Sequence, residues 1–151
     1  MTLSVAIEKL KSYCAYQERC HKEVVDKAYK LGLYKTDVDQ AIITLIQENF
    51  LNEERFAEAF VSGKFRIKKW GRTKIVGQLK QKGISDYCIK KGLKQIDESE
   101  YFNTIHYWLE RKQREVNEVD RFKKNGKIAS FLIQKGFEPG LVWEEISQLK
   151  D

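Results

Sequence analysis

Proline is almost absent from this chain of 151 residues, occurring only at Pro139. With the main helix-breaking residue so rare and with Lys, Glu, Leu and Ile abundant, the composition favours helices. Apolar runs are short, and none approaches the roughly 20 residues of a membrane-spanning helix. Residues 1–6 also lack the basic and long apolar segments of a signal peptide. We therefore predict a helical protein without membrane contact.

Cysteine and histidine are scarce and scattered. Cys14, Cys20 and Cys88 form no C-x-x-C pair, and His21 and His106 lie far apart, so no metal site is predicted. An odd cysteine count argues against a disulfide framework and indicates reduced thiols in the cytoplasm. A Walker loop, a G-x-S-x-G motif and converging carboxylates are also missing. We predict no catalytic residue, no metal, no cofactor and no enzyme activity.

Acidic residues are few in the middle of the chain. The net charge is +6, and residues 61–100 contain eleven lysines and arginines against four acidic residues. The remainder of the chain is close to neutral. A localised basic field favours a polyanion such as nucleic acid, or an acidic protein surface.

Three glycines, Gly32, Gly83 and Gly136, mark an internal repeat with spacings of 51 and 53 residues. Each follows a helical stretch and precedes one large apolar residue, which is typical of a helix end where glycine adopts the left-handed conformation. Seven apolar core positions recur around each glycine at helical spacing. They are Val24, Val25, Ala28, Leu33, Val38, Ile42 and Leu45; Ile75, Val76, Leu79, Ile84, Ile89, Leu93 and Ile96; and Ile128, Ala129, Leu132, Phe137, Val142, Ile146 and Leu149.

A further helix precedes each of these pairs, so the repeating unit has three helices. In the middle copy Asn52 is the predicted N-cap, and Glu53 and Glu54 suit the positive start of a helix. No stretch alternates as a strand would. We predict an all-α fold of three tandem three-helix repeats, residues 1–50, 51–98 and 99–151, which form an elongated, curved helical array.

The densest basic segment, residues 64–74, is the first candidate binding site. Its cations could neutralise phosphates, and Phe65 and Trp70 could stack on unpaired bases. A packing role for the two aromatic residues is the alternative. The predicted cations of this region are Lys64, Arg66, Lys68, Lys69, Arg72 and Lys74, continued by Lys80 and Lys82.

A second basic region in the third repeat is a weaker candidate. It contains Arg111 and Lys112, then Arg121, Lys123 and Lys124, with acidic residues between that could form ordinary helix-surface pairs. Three glycines inside predicted helices, Gly63, Gly77 and Gly92, destabilise those helices. They could permit close packing between repeats or against a partner.

The middle repeat carries motifs that resemble a known family. Residues 52–61 (NEERFAEAFV), then Gly71-Arg72, residues 75–79 and Gly83-Ile84 are similar to the central signature of the RecX family. The three-repeat layout resembles that family along nearly the whole chain. Asn52 stands where the family often has Asp, and Cys20 takes a serine position in a related element of the first repeat.

The resemblance implies a specific function, which the amino-acid composition alone does not indicate. RecX-like proteins bind RecA and its filament on single-stranded DNA, typically inhibit strand exchange, ATP hydrolysis and co-protease activity, and some bind DNA themselves. We therefore expect a cytoplasmic monomer whose partners are the RecA filament and single-stranded or double-stranded DNA, bound weakly and without sequence preference. Replacing Lys68, Lys69 and Arg72 with Glu is expected to abolish filament binding while preserving helicity.

Two other functions remain open at this point. A sequence-specific DNA-binding regulator could place a recognition helix that begins at residues 72–74 in the major groove. Such a regulator would prefer one duplex, whereas a filament modulator would bind weakly with little sequence preference. A protein scaffold that grips an acidic partner would not bind nucleic acid even at low salt.

Overall fold

The computed structural model describes residues 1–149 and contains nine α-helices and no strand within that range. The predicted all-α class is confirmed. Lys150 and Asp151, at the end of the predicted third repeat, lie outside the described residues. The helices are α1 (Leu3–Tyr16), α2 (His21–Lys30), α3 (Lys35–Gln47), α4 (Glu53–Arg66), α5 (Arg72–Gln81), α6 (Asp86–Leu93), α7 (Glu98–Glu115), α8 (Arg121–Gln134) and α9 (Pro139–Ser147).

Helix starts follow the capping residues in the sequence. The side chain of Asn52 accepts a hydrogen bond from the amide of Arg55 at 2.8 Å, as predicted for an N-cap. Asp97 and Asp120 accept from amides three residues later, at the starts of α7 and α8. Pro139 occupies the first turn of α9, where a missing amide hydrogen costs nothing.

The three repeat glycines end α2, α5 and α8 as predicted. Gly32, Gly83 and Gly136 have φ values of 94°, 77° and 104°, in the region that strains other residues. The apolar residue after each glycine is buried, and so are the predicted core positions eight and four residues before it and six after it. The repeat boundaries after residues 50 and 98 stay a prediction.

The chain divides into two compact units. The first unit comprises Met1–Phe60 and Leu79–Gly92, and the second comprises Val61–Gln78 and the chain from Leu93 onward. In the first unit α1, α2 and α3 pack against one another. Their shared core consists of Ala6, Leu10, Cys14, Val24, Ala28, Leu33, Val38, Ala41, Leu45 and Leu51.

One of the interior glycines has a packing role in the first unit. A Cβ at Gly92 would lie 3.0 Å from the carbonyl oxygen of Ala57, so the glycine permits close approach of α6 to α4. Gly63 and Gly77 have nothing within 4 Å of an added Cβ. Internal packing therefore requires glycine at position 92 but does not require it at positions 63 and 77.

In the second unit α7, α8 and α9 pack together. Tyr101, fully buried, lies at the centre of an aromatic row, with ring centroids 5.9 Å from Phe65 and 5.4 Å from Phe137. Other buried members of this core are Ile105, Trp108, Leu109, Ile128, Ala129, Leu132, Val142 and Ile146. This core positions the residues of the candidate site.

Candidate nucleic-acid interface

The turn between α4 and α5 carries the densest basic run and has a defined shape. Lys69 has a left-handed backbone, with φ of 56°, and the amide of Trp70 donates to the carbonyl of Lys64 at 3.1 Å. The indole Nε1 of Trp108 donates to the carbonyl of Lys69 at 2.9 Å. The turn is therefore anchored to α7, and it leaves Lys68 exposed.

Backbone contact between the start of α5 and the end of α8 brings a distant lysine to this turn. The amide of Gly71 donates to the carbonyl of Lys135 at 2.8 Å, and the amide of Thr73 donates to the carbonyl of Gly136 at 2.9 Å. A Cβ at Gly71 would lie 2.3 Å from the carbonyl carbon of Gly136. Only glycine permits this approach.

Five lysines of the second unit form what we call the lysine cluster. Lys68, Lys69 and Lys74 come from the turn and α5, Lys112 from α7, and Lys135 from the end of α8. Lys112 binds a carboxylate. Within residues 1–149, the other four have no carboxylate oxygen within 4.0 Å of their ammonium groups.

The electrostatics of Lys135 reflect this convergence. Burial lowers the pKa of Lys135 below its ordinary value, and the positive charges of Lys74, Lys112, Lys68 and Arg111 lower it further. Like charges close together disfavour the protonated amine. A phosphate at this surface would relieve the repulsion, so the lysine cluster suits a polyanion.

Aromatic rings lie beneath several of these ammonium groups. The Nζ of Lys74 lies 4.3 Å from the ring centroid of Trp70, and the Nζ of Lys64 lies 5.0 Å from the same ring. The Nζ of Lys135 lies 4.9 Å from the ring of Trp108. These cation–π contacts hold the lysines without neutralising them. Stacking of half-buried Trp70 on a base stays a prediction.

Phe65 is a core residue, and the prediction that it stacks on bases is wrong. Its side chain is 2% exposed, and its ring packs against Tyr101. The helical phase of α4 points Phe65 toward α7, whereas Lys68, three residues later, lies beyond the helix and is exposed. An unpaired base therefore has no access to the face of the Phe65 ring.

Arg72 is occupied inside the second unit. Its Nη1 donates to Glu98 at 2.7 Å, and its Nε lies 3.0 Å from Glu138 Oε2 without the alignment of a hydrogen bond. The guanidinium lies 3.9 Å from the ring centroid of Tyr101. Tyr101 also donates a hydrogen bond to Glu138. Arg72 therefore links α5 to α7 and to the start of α9. Its side chain, at the start of α5, is not free to contact the bases of a duplex.

Replacing Arg72 with Gln is expected to lower the free energy of unfolding by about 1–2 kcal/mol, because Glu98 and Glu138 lose their cation. The melting temperature would fall by roughly 2–8 °C. Lys68→Gln, in the exposed turn, serves as the control and should leave the melting temperature unchanged. Equal melting of the Arg72→Gln variant and the native chain would contradict this structural role. Glu at position 72 is therefore unsuitable for testing binding alone.

Other predicted cations of the second unit are also paired. The Nη2 of Arg66 donates to the carbonyl of Gln95 at 3.1 Å and lies 3.7 Å from Glu100. Arg111 and Lys112 bind the carboxylate of one residue, Glu115, at 2.7 Å and 2.8 Å. Hydrogen bonds from Lys112 and Arg111 lower the pKa of Glu115 to about 2. Because Lys112 also lies over the ring of Phe131, at 3.9 Å, it contributes to the cluster from a fixed position.

The remaining predicted cations lie elsewhere. Lys80 and Lys82 belong to the first unit, where the Nζ of Lys82 is 5.9 Å from the ring of Phe60. Arg121, Lys123 and Lys124 occupy the first turn of α8, and Lys135 follows the last turn. Along a helix of this length, the two ends are about 20 Å apart. The second basic region of the sequence is therefore split. Arg111 and Lys112 lie near Lys135, whereas Arg121, Lys123 and Lys124 lie at the opposite end of α8.

Sequence reasoning missed Lys135. The repeat alignment contained a signal, because Lys82 and Lys135 occupy the same position one residue before a repeat glycine. Charge density predicts only Lys82, because Lys82 continues the basic run of the middle repeat. The hydrogen bond from Trp108 to the turn was also missed, because no local pattern links residues 39 positions apart.

Other kinds of site are absent from the described part of the chain. It contains no group of three or more His, Cys, Asp or Glu side chains placed to hold a metal ion. None of its helices combines the length and apolar character needed to cross a membrane. The three cysteines are buried as free thiols, and burial raises the pKa of Cys14 and Cys20.

Comparison with known proteins gives consistent matches. The family model for the second three-helix domain of RecX matches residues 52–93, and that for the third three-helix domain matches residues 98–146. A regulatory protein RecX from Clostridium tetani is 29% identical over 133 residues, covering 87% of this chain and 59% of that protein. One from Streptococcus uberis is 32% identical over 130 residues, covering 86% and 50%.

A solved structure shares the fold. The crystal structure of RecX from Lactobacillus salivarius aligns over 97% of both chains with a TM-score of 0.82 and 23% identity. The chain spans about half the length of the curated relatives it matches. The two family models together account for more than half of the residues. The chain therefore belongs to the RecX family.

Proposed function

We propose that this chain regulates the RecA recombinase by binding the RecA filament on single-stranded DNA. The single observation that carries the proposal is the lysine cluster, four of whose members have no carboxylate partner among the described residues, in a chain of the RecX family. Regulation in this proposal acts by binding, without catalysis by the chain itself. The regulation is inhibition of RecA strand exchange, ATP hydrolysis and co-protease activity. The chain acts as a monomer in the cytoplasm.

The physical basis is electrostatic attraction to the filament's DNA. Lysines that neutralise phosphates release condensed counterions, so binding weakens steeply as salt increases. The contacts of the lysine cluster are directed at backbone charge, which makes binding tolerant of sequence and weak on bare single-stranded or double-stranded DNA. Affinity for the filament then comes from DNA and RecA contacts together.

ATP hydrolysis by RecA on single-stranded DNA tests the proposal. We expect the chain, added at a small fraction of the RecA concentration, to suppress hydrolysis, since one molecule bound along a filament affects many subunits. The same titration in high salt is the control, because screening should remove the effect. Unchanged hydrolysis up to equimolar chain in moderate salt would exclude the proposed inhibition of RecA.

Chemical labelling at Lys135 gives a second test. Because its pKa is lowered, a larger fraction of Lys135 is the neutral, nucleophilic amine at mildly alkaline pH. We expect an amine-reactive reagent to modify Lys135 faster than Lys22, an exposed lysine of the first unit. Single-stranded oligonucleotide should slow labelling of Lys135 by excluding the reagent and raising its pKa. Equal rates without DNA, or no protection with DNA, would contradict the assignment of Lys135 to the site.

A further inference from the structure

The first turn of α8 presents an aromatic ring in a basic setting. Phe122 is 86% exposed, and Val119, three residues earlier, is also fully exposed. Arg121, Lys123 and Lys124 are its neighbours in sequence. An exposed ring among cations is the combination that single-strand-binding proteins use, with the face of the ring for a base and the cations for the phosphates.

The acidic residues near Phe122 are already occupied. Asp120 accepts a hydrogen bond from the amide of Lys123 at 2.9 Å, and Glu118 binds Lys127 at 3.0 Å. Both carboxylates therefore have internal partners, and residues 118–127 contain four cations against these two acidic residues. The field around Phe122 consequently remains favourable to an anionic ligand.

Gly126 provides a second, independent observation. It lies inside α8, one helical turn after Phe122, where glycine weakens a helix relative to alanine. A Cβ at Gly126 would meet nothing within 4 Å, so internal packing does not require glycine here. Residues 122 and 126 share one face of the helix, so the bare backbone at Gly126 leaves open space on the face that carries Phe122, where a planar group can approach closely.

We infer that Phe122 is a binding residue that stacks on an unpaired nucleobase, with Gly126 leaving room for that base. This inference rests on the proposed binding of single-stranded DNA and names a second contact for it, separate from the lysine cluster. Lysines bind the phosphate charges of the DNA backbone, whereas a stacked ring requires a base that is not paired with another base. The Phe122 site therefore gives the chain a preference for single strands over duplex.

Affinity for a short oligo-dT tests the inference. We expect Phe122→Leu, which keeps apolar bulk and removes the π face, to weaken binding by about 5- to 150-fold, the loss of one stacked base. Phe122→Trp should bind at least as tightly as the native chain. Val119→Ala is the matched control on the same exposed surface and should leave affinity unchanged. The side chain of Phe122 is exposed, so these substitutions spare the core.

Two further ligands identify stacking as the cause. A strand of equal length and charge that lacks bases should bind the native chain and the Phe122→Leu variant equally. A duplex of the same sequence should show the same equality, because its bases are paired. A loss that is equal for all three ligands would mean that Phe122 acts through charge or folding, and the inference would be overturned.

The remaining outcomes are also decisive. If Phe122→Leu binds oligo-dT as the native chain does but loses affinity for RecA filaments, the ring contacts protein and the inference is overturned. If the native chain does not bind oligo-dT at all, the inference also fails. Suppression of RecA hydrolysis in that case would leave the proposed regulation of RecA intact, so the two failures are distinguishable.

Discussion

Gly71→Ala is expected to destabilise the second unit strongly, because the added methyl group would collide with backbone atoms. Its new Cβ would lie 2.3 Å from the carbonyl carbon and 2.4 Å from the carbonyl oxygen of Gly136. Backbone cannot move aside as a flexible side chain can, so α5 and α8 must separate and lose the hydrogen bonds that Gly71 and Thr73 donate. We expect the free energy of unfolding to fall by about 3 kcal/mol.

Thermal unfolding measures this effect, with a fall in melting temperature of roughly 6–12 °C. Gly77→Ala is the matched control, because the same methyl is added in the following helix where nothing lies within 4 Å. It should raise stability by up to about 1 kcal/mol through helix propensity. If the Gly71→Ala variant melts at or above the temperature of the native chain, the close contact between residues 71 and 136 does not exist.

Neutralising the lysine cluster is expected to cause the largest loss of DNA affinity. The variant replaces Lys68, Lys74 and Lys135 with Gln, which keeps polar side chains of similar length. Because three phosphate contacts are lost, the slope of log binding constant against log salt concentration would become less negative by about 2 for single strands. Affinity at roughly 0.2 M salt would fall about 30-fold. Relief of like-charge repulsion should leave melting unchanged or slightly higher.

A second triple variant tests whether DNA affinity depends on where the lysines lie or only on the net charge of the chain. Lys9, Lys22 and Lys30 are exposed residues of the first unit. Their replacement with Gln changes the net charge from +6 to +3, as the first variant does. Oligonucleotide titrations at several salt concentrations should show near-native slope and affinity for this control. Equal losses in the two variants would mean that binding follows net charge, without a localised surface.

Much of the fold could be predicted because its determinants are local. Gly32, Gly83 and Gly136 take the left-handed conformations that helix ends require, and the apolar residues around them recur at helical spacing. Asn52 caps α4 through an amide three residues away. Such signals lie within one or two turns of helix, so one sequence is enough to recognise them.

The candidate site was less predictable because its determinants are distant in sequence. Charge density identified Lys68 and Lys74, but their approach to Lys135 depends on a backbone contact between residues 71 and 135. Charge density also predicts Arg72 as a binding residue. Its partners, Glu98 and Glu138, lie 26 and 66 positions along the chain and make it structural. A run of like charge therefore predicts a surface better than it predicts the role of each member.

The residues that carry the family resemblance have mainly structural roles here. In addition to capping by Asn52, Glu53 accepts a hydrogen bond from the amide of Ser85 at 3.0 Å. Arg55 binds Glu18 and donates to the carbonyl of Asn49 at 3.0 Å. The signature thus marks the architecture of the middle repeat, while the exposed lysines beside it are the candidates for binding.

Binding to RecA filaments assembled on single-stranded DNA tests the central claim most directly. The native chain, the Lys68/Lys74/Lys135→Gln variant and the Lys9/Lys22/Lys30→Gln variant would be titrated onto the same filaments at moderate salt. We predict tight binding by the native chain and the control variant, and a loss of at least about tenfold for the cluster variant. Equal binding by all three, or no binding by the native chain, would contradict the claim that the lysine cluster engages the RecA filament.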